Sequence, residues 1–198
     1  MTSNLAYDLA TGVQAIGSKN DRSTFTFTPT SCGANGICEM NGNTVILTYQ
    51  SQITGQNETN WYYNWYAASG GINTTTNTDA DGSICPVGWR LPPDYGYQVE
   101  KSYSNLFSYY GLPVNNASAN SSVLDIMPLN FSRPGCDVEN GTSSCNRTYY
   151  GHYWTSTAFN PTSAYVMRYY PAISSGWTPR HAADGDKVAG LSVRCVAL

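Results

Sequence analysis

The chain has 198 residues, of which 41% are hydrophobic and 12% charged, and its net charge at pH 7 is −3. Such a chain suits a single domain, residues 1–198, with a sizeable core. The few basic residues are scattered, which argues against a nucleic-acid surface, and no apolar run approaches the ~18 residues of a membrane-spanning helix, so we expect no membrane insertion. With 16 Tyr and 5 Trp, and hydroxyl and amide side chains in place of charged ones, the composition favours an extracellular protein.

The first eighty residues are predicted to form strands and turns. Residues 23–28 ("STFTFT") alternate apolar and hydroxyl side chains and residues 43–49 ("NTVILTY") are β-branched, with a turn at 41–43 before the second run. The aromatic residues of 60–71 cannot all face water. Residues 73–83 are predicted to be a polar loop whose acids lack the spacing of a calcium site.

One main helix is predicted for about residues 94–110. Asp94 is a plausible N-cap, and Gly111 and Pro113 end the pattern. The apolar positions at helical spacing are Val99, Tyr103, Leu106, Phe107 and Tyr110. Further strands are predicted at 149–158, 163–170 and 189–198, so the fold class is α+β and strand-rich.

The six cysteines favour disulfides over metal, because their number is even and the composition is that of a secreted protein. No Cys-x-x-Cys is present and the two histidines are isolated, so we expect no metal or other cofactor. Proximity in the sequence favours the pairs Cys32–Cys38 and Cys136–Cys145, which leaves Cys85 for Cys195.

Five motifs occur in the order "YYNWYAASGG", "ICPVGWRLPP", "PLNF", "YWTSTA" and "GLSVRCV". Together they resemble the Fibrobacter succinogenes major paralogous domain, an extracellular prokaryotic module with a C-type lectin-like fold. The resemblance runs from about Asn60 to Val196; it implies a lectin-like core at 60–198 and leaves the strands and turns of 1–59 outside. Within this fold the chain looks most like the variable proteins of diversity-generating retroelements, of archaeal or viral type.

Under this resemblance the stiff segment from Ser83 to Pro93 closes the fold. Cys85 precedes the main helix and Cys195 lies close to the C-terminus, so a bond between them would tie the two ends of the lectin-like core together. Trp89 and Leu91 are then expected in the core. Arg90 and Arg194 are expected to pair with acids or carbonyls, and the sequence leaves open which ones.

Catalysis and calcium-dependent sugar binding are both disfavoured. All six cysteines have structural partners available, unlike those of the formylglycine-generating enzymes that share the fold, and the sugar-binding triplets of animal lectins are missing. We therefore expect no catalytic residue. Asp184 and Asp186 are expected in a solvated turn, and His152 and His181 at the surface.

The remaining function is ligand binding, because residues 149–183 are rich in the Tyr, Trp, Arg and Asn that binding surfaces use. Alternate positions around the strand at 149–158 should face outward, and residues 170–182 should form an exposed loop. Trp154, Ser156, Tyr165 and Met167 are assigned to the core. The predicted ligand-binding residues are Tyr149, Tyr150, His152, Tyr153, Phe159, Asn160, Arg168, Tyr169, Tyr170, Trp177, Arg180 and His181.

The sequence thus predicts a secreted, cell-surface or virion-surface variable protein with a diversified region at about 149–193. Its partner would be a protein or another cell-surface ligand. The alternative is an ordinary lectin-like cell-surface domain that contacts glycan or protein without programmed diversity.

Overall fold

The structure is a computed structural model. It describes residues 14–18, 24–27, 31–32, 37–40, 43–46, 49–52, 59–70, 76–93, 103–110, 131, 136–138, 143–145, 151–169, 180–187 and 189–198. Within these residues the chain is strand-rich with short helices, which confirms the α+β class.

The N-terminal part contains paired antiparallel strands, as predicted. They are β1 (Gln14–Ser18), β2 (Thr24–Phe27), β3 (Ser31–Cys32), β4 (Ile37–Met40), β5 (Asn43–Ile46), β6 (Tyr49–Gln52) and β7 (Thr59–Tyr62). β1 pairs with β2, β4 lies between β3 and β5, and β6 pairs with β7. The run predicted as one strand at 43–49 is two, because β5 ends at Ile46 and β6 begins at Tyr49.

The cysteines predicted to form local bridges stand opposite each other on neighbouring strands. Cys32 pairs in register with Cys38. In the second hairpin, β11 (Cys136–Val138) and β12 (Ser143–Cys145), Cys136 pairs with Cys145. Directly opposed residues have Cβ atoms ~4.5–5.5 Å apart, near the separation that a disulfide spans. The side chains of these four cysteines are outside the described part, so the two local bonds stay predictions.

The aromatic stretch after β7 is buried, as predicted. It forms the short helix α1 (Trp65–Ala68), whose N-cap Asn64 accepts a hydrogen bond from Ala67 N at 2.9 Å through Oδ1. Tyr63 and Trp65 are fully buried. Their backbones join α1 to the C-terminal part, because Tyr63 N donates to Leu191 O and Trp65 N donates to Lys187 O, both at 2.9 Å.

A four-stranded antiparallel sheet lies beside α1, in the order β15–β14–β13–β8. Its strands are β8 (Thr78–Asp79), β13 (Gly151–Ala158), β14 (Ser163–Tyr169) and β15 (Arg180–Asp186). β13 and β14 confirm the strands predicted at 149–158 and 163–170. The predicted polar loop at 73–83 contains β8 and also β9 (Gly82–Ser83), which pairs with β1.

β15 replaces the loop predicted to extend to 182 and the solvated turn predicted at Asp184 and Asp186. Its register against β14 includes Tyr165 opposite Asp184 and Val166 opposite Ala183. Pairing with β14 therefore determines the conformation of this segment, although Ala, Asp and Gly are poor strand formers.

The bond between Cys85 and Cys195 is confirmed. It joins residues 110 apart in sequence, with the Cα atoms 5.8 Å apart, and both cysteines are buried. Beside it, β10 (Trp89–Arg90) pairs with β16 (Val196–Ala197). Leu91 lies in the core as expected, whereas Trp89 is only half-buried against it. The strand predicted at 189–198 is regular only in β16, with single bridges at Leu191 and Ser192.

The second helix, α2 (Tyr103–Tyr109), falls within the predicted helix, and residues 94–102 of that prediction lie outside the described part. The Tyr103 hydroxyl donates to Arg194 O at 3.3 Å. The Arg194 guanidinium lies 4.1 Å from the centroid of the Phe131 ring. This arginine is thus held against an aromatic face, a partner that the sequence did not indicate.

Candidate functional site

Apart from the buried Tyr153, the predicted binding residues that the structure describes lie at two ends of the four-stranded sheet. At one end, Gly151 pairs with Tyr169 and Arg168 with Arg180; we call it the open end. At the other, β13 and β14 are joined by residues 159–162; we call it the hairpin end. β13 has eight residues and β14 has seven. At ~3.3 Å per residue, strands of this length separate the two ends by ~20 Å. Phe159 and Asn160 at the hairpin end therefore lie apart from Arg168 and Tyr169 at the open end.

The prediction that alternate residues of β13 face outward is wrong, because all eight residues of this strand are buried. β13 lies between β14 and β8 and is covered on both faces. Trp154 belongs to the core cluster around α1 and the disulfide. A strand buried on both sides has no outward set of side chains.

Tyr153, predicted to bind ligand, belongs to the core. It is fully buried, and its ring meets that of Phe131 edge to face at 5.1 Å. Phe131 in turn meets Tyr103 of α2 at 6.2 Å. These three rings cover the face of the sheet opposite Trp154.

His152, predicted at the surface, is 9% exposed. It stands opposite Arg168 in the β13–β14 register. Burial, and then the positive charge of Arg168, lower its pKa from 6.5 to about 3. The imidazole is therefore neutral at physiological pH.

Further predicted binding residues that the structure describes lie at the open end, at the ends of β14 and β15. Arg168 is half-buried. Tyr169 ends β14, and Arg180 and His181 begin β15. The predicted residues Tyr149, Tyr150, Tyr170 and Trp177 lie outside the described part.

The hairpin end contains Phe159 and Asn160 together with two residues that the prediction had missed or misplaced. Tyr165, assigned to the core, is only half-buried, and its ring meets that of Phe159 at 5.3 Å and 77°. Its hydroxyl donates to Oδ1 of Asn77, an exposed residue, at 3.1 Å. Because 88 residues separate Asn77 from Tyr165, no local sequence signal could have indicated this contact.

Lys187 holds the turn between β13 and β14, residues 159–162, through two hydrogen bonds. Its side chain is fully buried; Nζ donates to Pro161 O at 3.2 Å and lies 4.4 Å from the centroid of the Trp65 ring. Lys187 N also donates to Thr162 O at 2.9 Å. Burial lowers the pKa of this amine from 10.5 to about 8.

A polar cluster around Asp79 joins β8 to β13. The carboxylate accepts hydrogen bonds from Ser156 Oγ, at 3.3 Å, and from Thr157 Oγ1. Arg90 lies close enough for the Asp79 charge to oppose the lowering of its pKa by burial. In the part of the chain that the structure describes, no group of three or more His, Cys, Asp and Glu side chains could hold a metal ion. The hydrogen bonds from Ser156 and Thr157 to Asp79 stabilise the pairing of β8 with β13.

None of the helices among the described residues is long and apolar enough to cross a membrane. The chain matches no protein-family model, no curated protein and no solved structure.

Proposed function

We propose that this chain is a ligand-binding, non-enzymatic variable protein of a diversity-generating retroelement, secreted or displayed at a cell or virion surface. Its open end binds a protein ligand from a C-type lectin-like scaffold. The observation that carries this proposal is the pairing of Arg168 with Arg180. It fixes both ends of an aromatic segment, residues 170–179, on adjacent strands of a sheet.

The scaffold has the rigidity that a diversified surface requires. The Cys85–Cys195 bond lies in the core cluster with Trp154, and each face of β13 packs against aromatic side chains. A segment can change its side chains without disturbing the fold only if a rigid scaffold of this kind supports both of its ends. Residues 170–179 contain Tyr170, Trp177 and two serines, of which the aromatics supply contact area with few rotatable bonds and the serines adaptable hydrogen bonds.

The charges near the open end favour an acidic partner. From Asn140 to Ala183 the chain has no acidic residue. Arg168 and Arg180 occupy opposed positions on β14 and β15. Positive charge in a stretch of sequence without acids favours association with an acidic protein.

One genomic observation tests the retroelement. A repeat near the gene should copy the codons for about Tyr149 to Val193, differ from them only at adenines, and lie beside a reverse-transcriptase gene. Because Tyr153 and Trp154 are buried, their codons should be identical in both copies. Absence of such a repeat would favour the alternative, an ordinary lectin-like cell-surface domain without programmed diversity.

A display experiment tests the open end directly. A library that varies residues 170–179 should yield binders to an unrelated acidic protein, and the selected variants should melt within a few degrees of the parent. A matched library that varies 153–157 of β13 should yield few folded members. Equal loss of folding in the two libraries would overturn the proposal.

A further inference from the structure

The exposed aromatic pair at the hairpin end lies apart from the proposed protein-binding surface. Phe159 is 38% exposed, and its ring is nearly perpendicular to that of Tyr165. The pair lies at the end of the sheet remote from Tyr169 and Arg180.

Two amide groups flank these rings. Asn77 uses Oδ1 to accept from Tyr165 Oη. Asn160 uses Oδ1 to accept from Thr162 N at 2.8 Å, Thr162 Oγ1 at 3.1 Å and Ser163 N at 2.7 Å. Among the described residues neither Nδ2 group has a hydrogen-bond partner. Each amide therefore has its donor side available to a ligand.

The arrangement is fixed in advance of any ligand. Asn77 has a positive φ of 53°, a left-handed conformation that asparagine adopts more readily than most residues other than glycine, and its N–H donates to Ala158 O at 2.8 Å. Lys187 holds the turn through Pro161 O and Thr162 O. These hydrogen bonds hold Asn77 and the turn at 159–162 in fixed positions.

The size of this site and its lack of charge indicate the class of ligand that it would bind. One exposed ring pair falls far short of the ~800 Å² per partner of a stable protein interface. None of the four side chains Phe159, Tyr165, Asn77 and Asn160 is charged at neutral pH. A sugar ring presents an apolar C–H face for an aromatic ring, whose face is negative, and hydroxyl oxygens for amide donors.

We propose that the hairpin end is a second binding site, for a neutral saccharide, formed by Phe159, Tyr165, Asn77 and Asn160. The site requires no metal ion. It is independent of the open end, so either site can be tested while the other is intact.

Affinity electrophoresis of the full chain tests this site. Native gels would contain mannan, dextran, galactomannan or mixed-linkage β-glucan as neutral probes, and polygalacturonate as the anionic one. We expect retardation by at least one neutral polysaccharide, unchanged by chelator. Phe159→Leu keeps apolar volume without the ring, and Asn77→Gly keeps the positive φ without the amide; each should weaken the apparent affinity by about tenfold.

Two controls separate this site from other surfaces. Tyr109→Ala removes an aromatic residue that is 83% exposed on α2, and it should leave retardation unchanged. Trp177→Ala should also leave it unchanged, even if it abolishes protein binding at the open end. The proposal is overturned if no neutral polysaccharide retards the chain, if Phe159→Leu and Asn77→Gly are retarded like the parent, or if only polygalacturonate retards it. Thermal melts of each variant confirm that it is folded.

Discussion

Gly185 lies against the indole of Trp154, with no room for a side chain. A Cβ atom at Gly185 would stand 3.3 Å from Cη2 and Cζ3 of Trp154, and 2.7 Å from Cγ2 of Val166. The glycine thus allows β15 to pass close to the residues on which the core of the sheet depends.

Gly185→Ala should therefore destabilise the protein by about 1–3 kcal/mol, the usual cost of overpacking. Denaturant unfolding gives the measurement. Val166→Ala removes the closest atom, so the double variant should lose less than the sum of the two single losses. Strict additivity would show that the contact with Val166 does not cause the strain.

β15 also marks the limit of what the sequence could predict. β13 and β14 were predictable because they are rich in β-branched and aromatic residues. β15 has only Arg, His, Ala, Asp and Gly, and its conformation depends on a partner strand. The binding surface was less predictable than the fold, because alternation along β13 indicates an outward face only when one side of the sheet is open. Contacts such as Tyr165 with Asn77 join distant parts of the chain.

Removal of the long disulfide should be the most damaging loss of a single bridge. The bond between Cys85 and Cys195 closes a loop of 110 residues, which on the chain-entropy model stabilises the fold by about 4–5 kcal/mol. The double variant Cys85→Ala/Cys195→Ala should show this loss in denaturant unfolding. Cys32→Ala/Cys38→Ala, which removes the predicted local bridge and its much shorter loop, serves as the control and should lose less. An equal loss in both would contradict the entropic account.

The buried His152 should make stability depend on pH. Its pKa is about 3 in the folded protein and near 6.5 in the unfolded chain, so the unfolded state binds the extra proton first as the pH falls. Stability should therefore decrease as the pH is lowered from about 6.5 towards 3, by roughly 3–5 kcal/mol in total.

His152→Gln isolates this effect from the titration of carboxylates, because it retains a polar side chain that does not titrate. The difference in unfolding free energy between parent and variant should change steadily across this pH range. Parallel curves would mean that His152 is exposed to solvent, contrary to its burial.

Alanine substitutions at the open end should leave the fold intact, whereas those in the core should not. Tyr170→Ala and Trp177→Ala should change the unfolding free energy by no more than about 0.5 kcal/mol, as is usual for exposed positions. Trp154→Ala and Leu191→Ala remove buried side chains and should cost about 3–5 kcal/mol. His152→Ala belongs with the second pair, because the residue is buried.

Open-end substitutions, which should hardly change stability, should weaken ligand binding. For a protein ligand selected because it binds the parent chain, Trp177→Ala should cost more than ~2 kcal/mol of binding free energy, since a few aromatic anchors dominate most interfaces. Calorimetry of the folded variants measures the loss, with Tyr109→Ala as the exposed aromatic control. If Tyr170→Ala and Trp177→Ala unfold the protein as readily as Trp154→Ala does, residues 170–179 belong to the core. The open end then offers no surface for recognition.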